Sequence, residues 1–125
     1  MYMVAYIFKR VPGMSLEDFL HHYEHLHGPL MVKLLKDKGL ISYEHHPVRS
    51  VSAADIYVAA SGPAYDAISI YTFVSSEAAA NAWPIPEIVE DSERFIDFET
   101  MVMLPITKRV VFPEASNTQP CVLLS

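Results

Sequence analysis

Four of the six histidines fall in one stretch, Met14-Ser-Leu-Glu-Asp-Phe-Leu-His-His-Tyr-Glu-His-Leu-His-Gly-Pro-Leu-Met31. An imidazole is the side chain best suited to carry a proton near neutral pH. Placed on a helix at about 100° per residue, Leu16, Phe19, Leu20, Tyr23, Leu26 and His27 share an arc roughly 120° wide. Glu17, Asp18, His21, Glu24 and His25 lie opposite, with His22 at the margin. His27 is therefore the imidazole aimed at the interior. Burial disfavours the imidazolium and keeps the ring neutral, as a general base requires. The rival reading is a core histidine whose ring bonds a backbone carbonyl and fixes the Gly28-Pro29 turn.

Two more histidines, His45 and His46, are adjacent on a strand and point to opposite faces. His45 shares its set with Ile41 and Tyr43, the more apolar one, and is the candidate second base or orienter. His46 sits with Ser42 and Glu44, on a solvated or interface side. Tyr6, Tyr23, Tyr43, Tyr65 and Tyr71 lie on apolar faces, where tyrosines usually serve as core aromatics. With Trp83 and Phe95 such rings would also wall a site for a flat aromatic substrate. Tyr23 and Tyr71 could donate to a substrate carbonyl. Asp66, on a strand face with Ile68 and Ile70, is a candidate to orient a histidine, and Asp97 is read as ending a helix. His21 and His25 have the i, i+4 spacing of metal ligands, but on the polar face a solvated pair is the simpler reading.

The elements that must position these residues follow from periodicity. Tyr2 to Lys9 is apolar on both alternating sets and reads as a strand covered on both faces. Ser15 is an N-cap with Asp18 three residues on. The helix runs from Leu16 to Leu26 or His27. Gly28-Pro29 is expected to break it, and a second piece, Leu30 to Lys38, stops at Gly39. Leu40 to Pro47 is a second strand. Val48 to Pro63 is long, rich in small residues and aperiodic, the pattern of a functional or a mobile loop, and it could close a pocket. A third strand spans Ala64 to Val74. A helix capped by Ser75 or Ser76 runs to Ala82, Trp83-Pro-Ile-Pro86 interrupts it, and Pro86 opens a third helix to Ile96. Thr100 to Phe112 holds the fourth strand. Residues 113–125 form a weakly structured tail that ends apolar.

The order β-α-β-β-α-β is the split βαβ plan, an α+β, ferredoxin-like, four-stranded antiparallel sheet with helices on one face. Strands one, three and four are apolar on both faces, so the uncovered face calls for a second copy. Two such sheets closing on each other make a dimeric α+β barrel.

Composition bounds the function. The chain has 125 residues, 51% of them hydrophobic, and a net charge of −6 with nine basic residues and no basic cluster. One domain is expected, with no nucleic-acid or membrane-surface partner. Apolar runs fall short of the roughly 18 residues a membrane span needs. The basic residues Lys9 and Arg10 follow the first apolar run rather than precede it, unlike a secretory signal. A single cysteine, Cys121, excludes an internal disulfide and a cysteine zinc site, and suits a reducing cytoplasm. Four glycines and no glycine-rich loop argue against nucleotide binding.

The pattern Ser15-x-x-x-Phe19-x-x-x-Tyr23-x-x-x-His27-Gly-Pro-Leu30, with strand one and the later Trp83-Pro84, Asp91 and Phe95, resembles the EthD family of dimeric α+β barrel proteins. The resemblance covers about residues 1–112. It implies a homodimer, and a pocket between helices and sheet with His27 on the family's His-Gly-Pro motif. Relatives in fungal aromatic polyketide pathways act as cofactor-free decarboxylases, dehydratases or cyclases. The wider superfamily adds cofactor-free oxygenases of anthrone type and haem-dependent enzymes. The plant cyclase that makes olivetolic acid looks like a distant relative, but its helix-borne catalytic histidine has no match in Ala79 to Pro86. The expectation is a cofactor-free lyase acting on an aromatic polyketide in secondary metabolism. Its catalytic residues would be His27, His45 and Tyr71, and its substrate walls Tyr6, Tyr23, Tyr43, Trp83 and Phe95. The alternatives are an oxygenase of the same superfamily and a non-catalytic dimer that binds aromatic ligands.

Overall fold

A computed structural model describes residues 1–49 and 65–113. Within them four strands, β1 (Tyr2–Phe8), β2 (Leu40–Pro47), β3 (Ala67–Phe73) and β4 (Val102–Ile106), form one sheet of order β2-β3-β1-β4. Every neighbouring pair is antiparallel. Between β1 and β2 lie α1 (Leu16–His21), a π-helical segment (His22–His27) and α2 (Gly28–Leu35). Between β3 and β4 lie α3 (Ser76–Ala82) and α4 (Pro86–Glu93). This is the ferredoxin-like α+β arrangement expected from the strand and helix order.

Local chemistry explains the element starts. The Ser15 hydroxyl accepts the Asp18 N–H at 3.0 Å, and Ser75 accepts the Ala78 N–H at 3.1 Å. Each satisfies a donor that the first helical turn leaves open. Pro86 stands in the first turn of α4, where its missing N–H is no loss. Gly39 turns the chain from α2 into β2 at φ +91°, a conformation that favours glycine.

Gly28-Pro29 does not break the first helix, contrary to the sequence expectation. The dihedrals remain helical from His21 through Gly28 (φ −54°, ψ −55°). The Gly28 N–H reaches back five residues to the Tyr23 carbonyl. This wider turn takes up the clash that a proline ring makes in an α-helix and places Pro29 in the first turn of α2.

A second departure occurs at the start of β2. A bulge between Leu40 and Ser42 shifts the register. Leu40 therefore packs into the core while Ile41 turns out, 49% exposed. Ile41 does not share the inward face of Tyr43 and His45, as strict alternation had suggested.

The helices pack on one sheet face. Val4, Phe8, Ala67, Tyr71 and Phe73 meet Phe19, Tyr23, Met31, Leu35, Ile88 and Phe95 in two adjoining buried clusters. The other face carries Met3, Ala5 and Ile7 of β1, opposite Thr72, Ile70 and Ile68 of β3 and Ile106, Leu104 and Val102 of β4. None of these joins either core cluster. That face is mostly apolar and, among the described residues, open at Leu104 and Ile106, 43% and 36% exposed, while Ala5 and Thr72 between larger neighbours are 6% and 5% exposed. The loop expected over Val48–Pro63 lies almost wholly outside the described residues, and so does the tail beyond Pro113.

Candidate functional site

The π-helical segment sets the geometry. Residues five apart stand about 140° apart around an α-helix, but an i→i+5 turn brings them nearly over one another. His22 and His27 are such a pair. Both reach Asp91 of α4: His27 Nδ1 lies 2.8 Å from Oδ2, and His22 Nε2 lies 2.9 Å from Oδ1. Phe95, one turn further along the chain, underlies both rings, with centroids 4.7 Å from His22 and 4.8 Å from His27. His27 is 3% exposed.

A carboxylate only accepts hydrogen bonds, so both imidazole nitrogens donate to Asp91. Burial pushes His27 below the ordinary imidazole pKa. The hydrogen bond and charge of Asp91 oppose that shift, and the charge of His22 adds to it. The ring is thus neutral at pH 7, with its proton on Nδ1 and its lone pair on Nε2.

His27 forms part of the wall of a cavity of about 300 Å³ between helices and sheet. Tyr6, Phe8, Ser69 and Tyr71 line it from the strands, and Met31 and Trp83 from the helical layer. The Trp83 ring stands edge-on to Tyr6 and Tyr71, with both centroids at 5.2 Å. Val89, Phe98 and Met103 also line the cavity while being 40%, 42% and 52% exposed, which marks its solvent side. No Lys or Arg is among the described residues that line it. Burial raises both Tyr6 and Tyr71 above the ordinary phenol pKa, so both keep their protons.

A second polar group stands behind this wall. The Tyr23 hydroxyl lies 2.7 Å from Ser69 Oγ and 3.3 Å from the Ile68 carbonyl. The His45 ring stacks on Tyr23 with centroids 3.7 Å apart and an 11° tilt. Its Nε2 lies 2.6 Å from the Tyr43 hydroxyl. Desolvation first, then the charges of His27 and His46, lower His45 to about 4. Desolvation also raises Tyr43 and Tyr23. Both groups are therefore neutral at pH 7, and they share one hydrogen bond whose direction follows the imidazole tautomer. Tyr43 in turn stacks on Tyr71 at 4.3 Å.

Of the residues expected from sequence, the structure brings His27, Tyr71, Tyr6 and Trp83 to the cavity. His45, Tyr23, Tyr43 and Phe95 are not among its lining residues. Tyr23, Tyr43 and Phe95 stand one layer back, against Ser69, Tyr71 and His27, and His45 stands behind Tyr23 and Tyr43. Asp66 orients no histidine. Its carboxylate takes the Arg10 guanidinium at 3.0 Å and the Arg10 N–H at 2.9 Å. Asp97 accepts the Glu99 N–H and the Thr100 hydroxyl in the turn after α4. His21 and His25 are exposed, and His25 lies 3.6 Å from Glu24. Among the described residues no group of three or more His, Cys, Asp or Glu could hold a metal ion. The sequence reading missed His22 as a partner of Asp91. Its signal was a helix that continues through Gly-Pro, which requires a wider turn just upstream.

The sheet, the one-sided helices and the cavity between them define a ferredoxin-like α+β domain. Residues 11–99, 89 of the 125, match the EthD domain, and the chain belongs to the EthD family. No curated protein matches it. Among solved structures it is similar to an EthD family protein of Bacillus halodurans (15% identity, 87% of this chain and 100% of that one, TM-score 0.62). It is also similar to a dimeric ferredoxin-like protein from an uncultured marine organism (15% identity, 93% and 100%, TM-score 0.54). A third is SnoaB, a cofactor-independent oxygenase of Streptomyces nogalater (12% identity, 90% and 97%, TM-score 0.59). At these identities the likeness is one of fold.

Proposed function

We propose that this domain is a homodimeric, cofactor-free lyase acting on an aromatic or pre-aromatic polyketide intermediate. The reaction is decarboxylation, dehydration or aldol-type cyclisation. All three move a proton next to a carbonyl and build enolate charge that must be stabilised. The carrying observation is His27, neutral at the cavity wall with Nδ1 committed to Asp91, and in this reading its Nε2 lone pair serves the bound molecule. In dehydration or cyclisation, Nε2 takes a proton from the carbon beside the carbonyl and the imidazolium returns it to the departing or newly formed oxygen. In decarboxylation, Nε2 takes the proton of the substrate carboxyl group and the imidazolium so formed gives it to the carbon that carbon dioxide leaves. Tyr71, held protonated and present at the cavity, donates to the developing oxyanion. Tyr6, Phe8 and Trp83 supply ring faces and edges for a flat substrate. His45 serves through Tyr43 and Tyr23 by holding the wall behind Ser69 and Tyr71.

The uncovered apolar sheet face supports the dimer. Soluble domains rarely leave a contiguous apolar face of that kind open, and one structural relative is a dimeric ferredoxin-like protein.

The test is single-turnover chemistry of the purified protein on aromatic β-keto acids and hydroxyanthrones. Carbon dioxide release and water loss are followed for the wild type, His27→Ala and His27→Gln. Loss of general acid/base catalysis lowers the rate by about 10²–10⁴. Folded variants that keep the wild-type rate refute the role of His27.

The match to SnoaB favours a second reading, oxygen-consuming chemistry in the same cavity. His27 would then generate the substrate anion that dioxygen oxidises. Oxygen uptake without carbon dioxide release, with one oxygen atom entering the product and the other leaving as water, selects that reading.

A further inference from the structure

The π-helical segment has one clear consequence for side chains: it places His22 on the same carboxylate as His27. In plain α register His22 would point about 140° away from His27, and Asp91 would keep a single imidazole partner. The His22 ring is held on two sides. Its face lies on Phe95, at 4.7 Å and 29°, and its edge meets Asp91. We infer that His22 is a positioning residue. By donating from Nε2 to Oδ1 it fixes the Asp91 carboxylate in the rotamer whose Oδ2 accepts the Nδ1–H of His27. His27 is thereby kept in one tautomer with its lone pair toward the cavity. The inference rests on the reading of His27 as the proton carrier.

The physical argument concerns the freedom of Asp91. A carboxylate with one partner turns about its terminal bond, because that torsion is broad. Two donors on its two oxygens remove that freedom. The other polar groups nearby do not replace His22. Glu90 is turned to Arg94 at 3.4 Å, and Glu24 lies beside His25 at 3.6 Å. Once Asp91 is free to turn, the Nδ1–H tautomer of His27 loses its advantage over the Nε2–H form, in which no lone pair faces the substrate. Similar carboxylate–imidazole pairs elsewhere set tautomer and ring orientation in this way.

The experiment needs no substrate. Long-range proton–nitrogen correlation spectra of the ¹⁵N-labelled full chain are compared for the wild type, His22→Phe and His22→Gln, with His27 signals assigned by their loss in His27→Gln. His22→Phe keeps a ring on Phe95 but removes the donor, whereas His22→Gln restores an N–H. The wild type and His22→Gln are expected to show a single His27 tautomer protonated at Nδ1, with a downfield imidazole N–H resonance. In His22→Phe both His27 nitrogens move to intermediate shifts and that resonance disappears. His22→Ala gives the same loss if the phenyl variant does not fold. A single Nδ1–H tautomer persisting in folded His22→Phe or His22→Ala overturns the inference. Undiminished turnover by His27→Gln would overturn the proton-carrier reading and leave these spectra as they are.

Discussion

Acidification below pH 6.5 is expected to unfold this domain partly through His45. The ring sits half-buried against Tyr23 with Nε2 2.6 Å from the Tyr43 hydroxyl, and its pKa is lowered to about 4 from 6.5. Desolvation is the main cause, and the neighbouring His27 and His46 charges add to it. Between those two pH values the unfolded chain binds a proton there that the folded one does not. Stability therefore rises with pH, is fully present above about 6.5, and is lost as the pH falls toward 4. A gap of about 2.5 pH units has a ceiling of ~3.4 kcal/mol. Water reaches much of the ring, and screening brings the expected contribution to about 1–2 kcal/mol. The assay is the urea midpoint of the wild type and His45→Phe from pH 7.5 to 4.5. The phenyl ring keeps the stack on Tyr23 and cannot titrate. Carboxylates titrate in both proteins and cancel in the difference. The wild type should lose about 1–2 kcal/mol relative to the variant on going from pH 7.5 to 4.5. Parallel curves, or a wild type that gains on the variant in acid, would refute the assignment of a desolvated imidazole.

Asp91→Ala removes the acceptor of two imidazole donors and leaves the His27 Nδ1–H in a buried site, so chemical denaturation should show a loss of about 2–4 kcal/mol, with Asp91→Asn losing about half. A change under about 0.5 kcal/mol would contradict the two-sided bridge. Gly39→Ala should destabilise by about 2–5 kcal/mol, because at φ +91° its Cβ would lie 2.8 Å from Ala78 Cβ and 2.9 Å from Val74 Cγ2. Gly13→Ala, at φ +89° with open space around it, should cost only about 1–2 kcal/mol, and equal losses would show that crowding at Gly39 is relieved. Ile70→Lys, in the middle of the uncovered sheet face, should weaken self-association at least about tenfold in sedimentation experiments, since it buries an ammonium in an apolar interface. An unchanged dimer would move the interface elsewhere.

The fold was largely legible because its signals are local. Alternation in Tyr2–Phe8 and Ala67–Phe73, serine caps at Ser15 and Ser75, and Pro86 at a helix start each reflect chemistry confined to a few residues. The uncovered apolar face could also be anticipated, since both alternating sets of β1 and β3 are greasy and helices have only one side to occupy. The bulge after Leu40 was not legible. Nothing in Leu40-Ile-Ser-Tyr43 favours one of two adjacent aliphatics as the inward one. The choice is made by the core, which takes Leu40, and by the register against Phe73 and Thr72.

The site was legible only as far as an α-helical wheel is faithful. The wheel placed His27 inward, and the cavity wall is where it lies. The same wheel put His22 at the margin, because it turns each residue through about 100°. The chain instead inserts a wider turn, and the reason lies downstream, in a proline that an α-helix cannot accommodate at that point without losing a hydrogen bond. The Gly28 N–H bonded to Tyr23 is the record of that compromise. A Cβ at Gly28 would stand 3.1 Å from His45 Cε1, so the imidazole would have to shift by a few tenths of an ångström to admit one. One local conflict, Gly-Pro inside a helix, thus aligns two imidazoles five residues apart with a carboxylate 64 residues beyond the second. A wheel drawn with one fixed angle misses such an alignment, whereas a helix that must pass through Gly-Pro and still bury the residue before it implies a change of pitch.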